Sequence, residues 1–295
     1  MLDYRYETFF TLCQEGSYTL TAEKLFITQP AVSQHIKWLE RTYQTKLVTY
    51  EHRNISLTNK GQSLFDAIVK LKAQILKIES DLLQPESAPE KLNFAATLSI
   101  GDDLLPKILV QLAQARPELQ IACSVENTKM ILEKLRLGTL DFALVEGNFP
   151  KGEFASQPLA AQPFIAVTHI DHPLRSDQTY QLAELLKIPL ITREEGSGSR
   201  ELLEHLLGEQ NYSLADFQQV LEIGNLKTTK ALLAENIGLA FIYQGVVQEE
   251  LRNCQVKEIP IYNMATSHSF YFIYLKDSLF EEDLLAHFEL FRSFL

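Results

Sequence analysis

Apolar residues recur at helical spacing through the first forty-two positions of the chain. Tyr6, Phe9, Phe10 and Cys13 share one face, and Gly16 ends that segment. A second, short helix over about residues 20–26 offers Ala22 and Leu25 inward, with Ser17 and Thr19 as candidate caps. Thr28 then caps a third helix, in which Pro30 stands where a missing amide hydrogen costs nothing. Val32, Ile36 and Leu39 form its buried stripe, while Gln29, Ser33, Gln34 and Lys37 lie on the opposite, polar face. In a major groove those four side chains would reach base edges or phosphates, and the bidentate amide of Gln29 is the best base reader. Residues 47–50 and 54–57 predict two short strands around Glu51, His52 and Arg53, a small wing from which Arg53 would reach a phosphate or the minor groove. Patterning alone also permits three packed helices with a merely solvated face.

From Thr58 the chain runs to Gln84 without proline. Leu64, Ile68, Leu71, Ile75, Ile78 and Leu82 follow one another at steps of 4, 3, 4, 3 and 4, a heptad seam. Such a seam over 59–84 wants a partner helix, most simply its own copy, and the dimer would present two reading helices to two half-sites. The alternative is that this stripe packs on the chain's own body.

A proline-bearing polar stretch, QPESAPE, predicts a hinge over 85–90. The rhythm then changes to α/β. Strand patterns at 92–96, 119–124 and 141–145 alternate with helical ones at 104–115 and 130–137. Further strands at 164–168, 189–192, 220–223 and 239–243 alternate with helices at 180–186, 200–207 and 228–234. Two lobes of this kind form a cleft, because ligands in α/β sheets sit beyond the carboxyl ends of strands, near helix N-termini. Those ends are polar here: Thr97 and Ser99, Asn127 and Thr128, Glu146 and Asn148, the run TREEGSGSR from Thr192, and Asn225. They suit a small polar or anionic ligand, and each is also an ordinary helix cap.

The 295 residues carry a net charge of −11, which argues against nucleic acid until it is divided along the chain. Residues 1–83 hold ten Lys and Arg against nine Asp and Glu, a net of +1, so residues 84–295 hold −12. The acidity lies outside the part that would meet phosphates. Cys13, Cys123 and Cys254 are odd in number and far apart, which gives neither a disulfide framework nor a CxxC pair. The opening MLDYRYETFF carries acidic residues where a secretory leader needs basic ones, and no long uncharged apolar run follows. The expectation is a cytoplasmic protein with no membrane partner.

The segment SYTLTAEKLFITQPAVSQHIKWLE, followed by ISLTNKGQSLF, resembles the LysR-type transcriptional regulators. The resemblance implies a winged helix-turn-helix whose DNA contacts fall on Gln29, Pro30, Ser33, Gln34 and the wing residue Arg53. TLSIGDDLLP, LGTLDFALVEG, REEGSGSR and EIGNLKTTKALLAENIGLAFI are similar to the effector domain of that family. They imply an α/β, two-lobed, periplasmic-binding-protein-like fold over 91–295, with 91–163 and 265–295 in lobe I and 164–264 in lobe II. Its cleft would hold Thr97, Ser99, Thr128, Glu146, Thr192 and Asn225. The expected organisation is therefore a DNA-binding domain over 1–58, a coiled-coil linker helix over 59–84, the hinge, and the effector domain. Expected partners are double-stranded DNA, a small-molecule effector, further copies of the chain as dimer and tetramer, and RNA polymerase.

Rival classes lack support in the residues. No nucleophile with its base and no acid pair marks an enzyme. His169 and His172, in HIDHPL, have no standard zinc spacing, and GSGS at 196–199 has neither a Walker lysine nor a dinucleotide fingerprint, so no cofactor or metal is expected. A solute-binding protein would use the two lobes but not the first eighty residues, and a redox sensor would rest on isolated cysteines.

Overall fold

The computed structural model describes residues 3–51, 54–83, 85, 88–264 and 266–295. The chain divides into two compact units, the first made mostly of Met1–Glu86 and the second running from Ser87 onward apart from two short loops.

The first unit opens with α1 (Tyr4–Glu15), α2 (Tyr18–Lys24) and α3 (Gln29–Thr42). Each helix starts at a side-chain cap: Asp3 accepts from the Arg5 amide at 2.9 Å, Ser17 from Leu20 at 3.4 Å, and Thr28 from Ala31 at 3.3 Å. Gly16, at φ 62°, closes α1 by donating to the Leu12 carbonyl. A hairpin of β1 (Val48–Glu51) and β2 (Asn54–Leu57) follows, with Val48 opposite Leu57. Then comes α4 (Asn59–Leu83), whose first turn Thr58 caps through the Gly61 amide. Gly61 is required there, because a Cβ would stand 1.9 Å from the Leu47 carbonyl oxygen. Phe9, Phe10, Leu12, Ile36, Leu39, Leu47, Ile68 and Val69 form one core.

That core corrects the reading of the seam. Ile68, 1% exposed, is spent inside the first unit and is not available to a partner helix, while Leu64 packs half-buried beside it. The early part of α4 covers the three-helix head, as the alternative reading held. Further along, Leu71 is 47% and Leu82 is 78% exposed, with Ile75 and Ile78 half-buried.

The second unit contains β3 (Lys91–Thr97), α5 (Leu98–Ala115), β4 (Gln120–Glu126), α6 (Thr128–Arg136), β5 (Phe142–Val145) and β6 (Phe154–His169). It continues with α7 (Leu182–Leu185), β7 (Leu190–Thr192), α8 (Gly198–Glu209), β8 (Val220–Glu222), α9 (Leu226–Ala234) and β9 (Leu239–Tyr243). Last come α10 (Gln248–Arg252), β10 (Val256–Glu258), β11 (Thr266–Leu275) and α11 (Glu281–Arg292). The strands run in the order β4-β3-β5-β11-β6-β9-β7-β8, with β10 added to β6. β4-β3-β5 and β9-β7-β8 are parallel, joined by crossover connections, while β6 and β11 run antiparallel between them. β6 pairs with β11 as far as Phe164 and from Phe164 onward with β9, so a single strand passes from one lobe to the other at that residue.

Sequence patterning starts this strand at 164 and leaves β11 unnamed. Both segments mix polar and apolar residues because each serves two lobes in turn, which erases a simple period. α5 also begins at Leu98, well before 104, and the helix expected over 180–186 shrinks to Leu182–Leu185. Lobe I is sealed by a stack of Phe94, Phe142 and Phe272, with Phe94 and Phe272 at 4.9 and 4.4 Å from Phe142, and Phe291 of α11 set edge-on against Phe94 and Phe142.

Candidate DNA-reading helix and effector cleft

On α3, Val32, Ile36 and Leu39 are buried, which fixes the helix and turns Gln29, Pro30, Gln34 and Lys37 to solvent, with Ser33 half-buried. Glu40, nearly buried, accepts from the Leu47 amide at 3.0 Å and from Lys46 Nζ at 2.7 Å, which ties α3 to the wing. His35 hydrogen-bonds Thr8 at 2.9 Å, and the Arg5 guanidinium lies 3.9 Å from the Trp38 ring, both holding α1 against α3. Between α3 and the wing lies a depression of about 180 Å³ lined in part by Ser33, Lys37, Lys46 and Thr49. The expected contact Arg53 lies outside the described residues.

In the second unit, Thr97, Ser99, Thr128, Glu146 and Thr192 are all buried, which is unusual for polar side chains on strand ends. Thr97, the residue before α5, donates to Glu146 Oε2, and Ser99 in the first turn of α5 also bonds that carboxyl. Burial dominates over these bonds and over the nearby charge of Arg193, and it lifts the Glu146 carboxyl to about 7. Gly198, the first residue of α8, touches this group from the other lobe: a Cβ there would lie 2.5 Å from the Glu146 carbonyl oxygen and 3.0 Å from Thr128 Oγ1. The Lys129 amide donates to the Gly196 carbonyl at 3.3 Å, a second link between the lobes. Thr97, Ser99, Thr128 and Glu146 thus sit buried around this junction, and Thr192, also buried, ends β7. Asn225 is exposed instead, its side chain accepting from the Thr228 amide at 3.0 Å as the cap of α9.

Patterning includes Arg193 only within the polar run from Thr192 and does not single it out; it is 6% exposed. Its Nε and Nη2 grip Glu194 at 2.8 Å each, while Nη1 is buried without a partner, as are the hydroxyls of Thr128 and Thr192. A buried donor left unpaired costs on the order of 1–3 kcal/mol, so each of these atoms stands out among the described residues. The signal in the sequence was an arginine directly after the short strand Leu190–Thr192. Ser197 and Ser199, in the same run, are buried with their hydroxyls 3.0 Å apart.

The remaining candidates have local roles. His169 Nδ1 accepts from the Asp171 amide and His172 Nδ1 from the Leu174 amide, both within one turn. Burial pushes the Cys13 thiol to about 12 and the Cys123 thiol to about 11, which leaves little thiolate for redox chemistry at either. No helix among the described residues is long and apolar enough to cross a membrane.

Comparison with known proteins agrees with this architecture. Residues 5–62 match the bacterial regulatory helix-turn-helix of the lysR family, and residues 86–295 match the LysR substrate binding domain. The transcriptional regulator CysL of Bacillus subtilis is 26% identical over 269 residues, covering 91% of this chain and 89% of that protein. The transcriptional activator CmpR of Synechocystis is 27% identical over 277 residues, covering 92% and 89%. Among solved structures, full-length LysG of Corynebacterium glutamicum with bound effector Arg superposes with a TM-score of 0.62 at 15% identity, covering 99% of each chain. These relatives are regulators rather than enzymes. With both of its units matched, the chain belongs to the LysR family of transcriptional regulators, a DNA-binding protein controlled by a small molecule bound in its effector domain.

Proposed function

We propose that Gln29, Pro30, Ser33, Gln34 and Lys37 meet DNA in the major groove, and that Arg53 adds a contact from the wing. The observation that carries this reading is the rigid mounting of α3, whose apolar stripe is fully buried while its amide and lysine side chains remain exposed. Lys37 and Lys46 beside the depression would seat a backbone phosphate. Leu71, Ile75, Ile78 and Leu82 pair with the same residues of a second copy, which sets two reading heads at two half-sites, and two such dimers form a tetramer. Thr97, Ser99, Thr128, Glu146 and Thr192 hold the effector, with Asn225 at the rim. Binding favours one angle between the lobes and so alters the spacing of the DNA-binding heads. RNA polymerase is the further partner through which occupancy becomes transcription, and the protein acts in the cytoplasm, where its DNA lies.

Fluorescence anisotropy with duplexes flanking the protein's own gene tests this reading. Tight binding that weakens steeply with salt is expected. A monomer in sedimentation that has no salt-sensitive affinity for any duplex would overturn it.

A further inference from the structure

The two lobes of the second unit meet on two sides, and the two sides are built differently. On the side of α5, Leu104 and Leu105 belong to the same apolar core as Val246 and Val247, which lie in a one-turn 3-10 helix after β9, and as Leu233 of α9. That core passes from lobe I into lobe II without a break. A second core, in which Ile131 and Leu135 of α6 cover Ala143 and Ile273, has no member from lobe II among the described residues. Alternate residues of β3 divide between them, Phe94 and Ala96 to the first and Ala95 to the second, so the two cores lie on opposite faces of the sheet.

Charge marks the first seam as well. Two adjacent residues of α5 within the run GDDLLP both reach lobe II. Asp102 Oδ2 accepts from Lys230 Nζ of α9 at 2.8 Å, and Glu250 of α10 flanks the same ammonium at 3.4 Å. Asp103, 8% exposed, lies so close over Gly245 that a Cβ there would overlap its carboxyl. A half-exposed ion pair contributes little strength, whereas a buried leucine or valine contributes several times more, so the apolar core holds this seam and the aspartates set its register. The α6 side parts more easily. Separating Gly147 from Gly198 uncovers no side chain, and the Lys129 amide, in the first turn of α6 where a helix offers no acceptor of its own, exchanges the Gly196 carbonyl for water.

Resting on the cleft as the effector site, we propose that the α5 seam is a fixed pivot whose register Asp102 and Asp103 set, and that the cleft opens on the α6–α8 side alone. The effector then enters and leaves between Lys129 and Gly196. A seam with one arrangement passes no signal of its own, so the moving parts are the α6–α8 contact and the strands that join the lobes.

Hydrogen exchange at the amide of residue 129 in the full-length chain reads the opening without a ligand. Two disulfides, each compared oxidised against reduced in a Cys254→Ala background, separate the sides. Lys129→Cys with Gly196→Cys bridges the mouth, where a Cβ on Gly196 would stand 3.1 Å from the Lys129 Cβ. Asp103→Cys with Gly245→Cys bridges the seam. The mouth bridge is expected to slow exchange at residue 129 at least about tenfold, and the seam bridge to leave it unchanged. If the seam bridge slows it as much, opening takes place on the α5 side: the pivot falls and the cleft stands. If the amide exchanges no faster than those of β3 and neither bridge alters it, the lobes stay shut, and the pivot falls together with the effector cleft. Should the mouth bridge fail to form, Gly198→Val takes its place. Exchange at Lys129 is then expected to rise at least about tenfold, while the seam bridge closes at the rate seen with Gly198 intact. Seam closure slowed by that wedge, or a seam pair that does not close under oxidation, overturns the pivot.

Discussion

Gly147 and Gly198 meet backbone to backbone: a Cβ on Gly147, which holds φ at 89°, would stand 2.8 Å from the Gly198 Cα. One residue ends a strand loop of lobe I and the other begins a helix of lobe II, so the lobes touch where neither carries a side chain. Gly198→Val should force these loops apart. The expected cost is about 1–3 kcal/mol in urea unfolding of the second unit, together with loss of the effector response in DNA binding. An unchanged midpoint would mean that the loops separate without resistance.

At the reading helix, Gln29→Ala should cost about 1–3 kcal/mol at the specific operator while scarcely changing affinity for random duplex. Equal losses on both DNAs would assign Gln29 to the backbone rather than to a base.

Two positions of the same helical stripe should part company. Ile68→Ala removes a buried side chain from the three-helix head and should lower its stability by about 2–4 kcal/mol, seen as an earlier thermal transition. Leu82→Asp, at an exposed position, should leave that transition in place and shift sedimentation towards monomer. A dimer unaffected by Leu82→Asp would remove the distal stripe from the interface.

Stability should also depend on pH through Glu146. Its carboxyl titrates higher in the folded chain, at about 7, than the ordinary 4.5, so the native state binds the extra proton. The resulting stabilisation, of about 3 kcal/mol, is complete below pH 4.5 and is lost as pH rises to 7. Thermal melts of Glu146→Gln should lack this decline between about pH 5 and 7. A decline as steep as that of the wild type would trace it to another group.

The head was legible because local rules decide it. Ser17, Thr28 and Gly16 terminate helices by their own chemistry, and Val32, Ile36 and Leu39 declare a face by spacing alone. Parallel strands such as β9 were equally plain, since a strand buried on both faces reads as an apolar run. β6 and β11 were not, because their neighbours change along their length and no single period survives. The cleft divides in the same way. Thr97 and Thr128 announce themselves as polar residues at the ends of strands, whereas the value of Arg193 lies in one nitrogen left unpaired, which only three-dimensional neighbours reveal. The seam of α4 misled because spacing identifies a stripe without saying what covers it.

The passage of β6 from one lobe to the other at Phe164, and the return through β11, make lobe II an insertion within lobe I. Within a protomer, the covalent path to the reading helix leaves from β3, on the lobe I side. News of a ligand that lobe II grips must therefore cross the cleft itself or travel down two adjacent ribbons before it can reach the genome. That topology makes the twist of a single pair of strands the natural bottleneck of the signal, and the place where regulation is most easily broken without touching ligand or DNA.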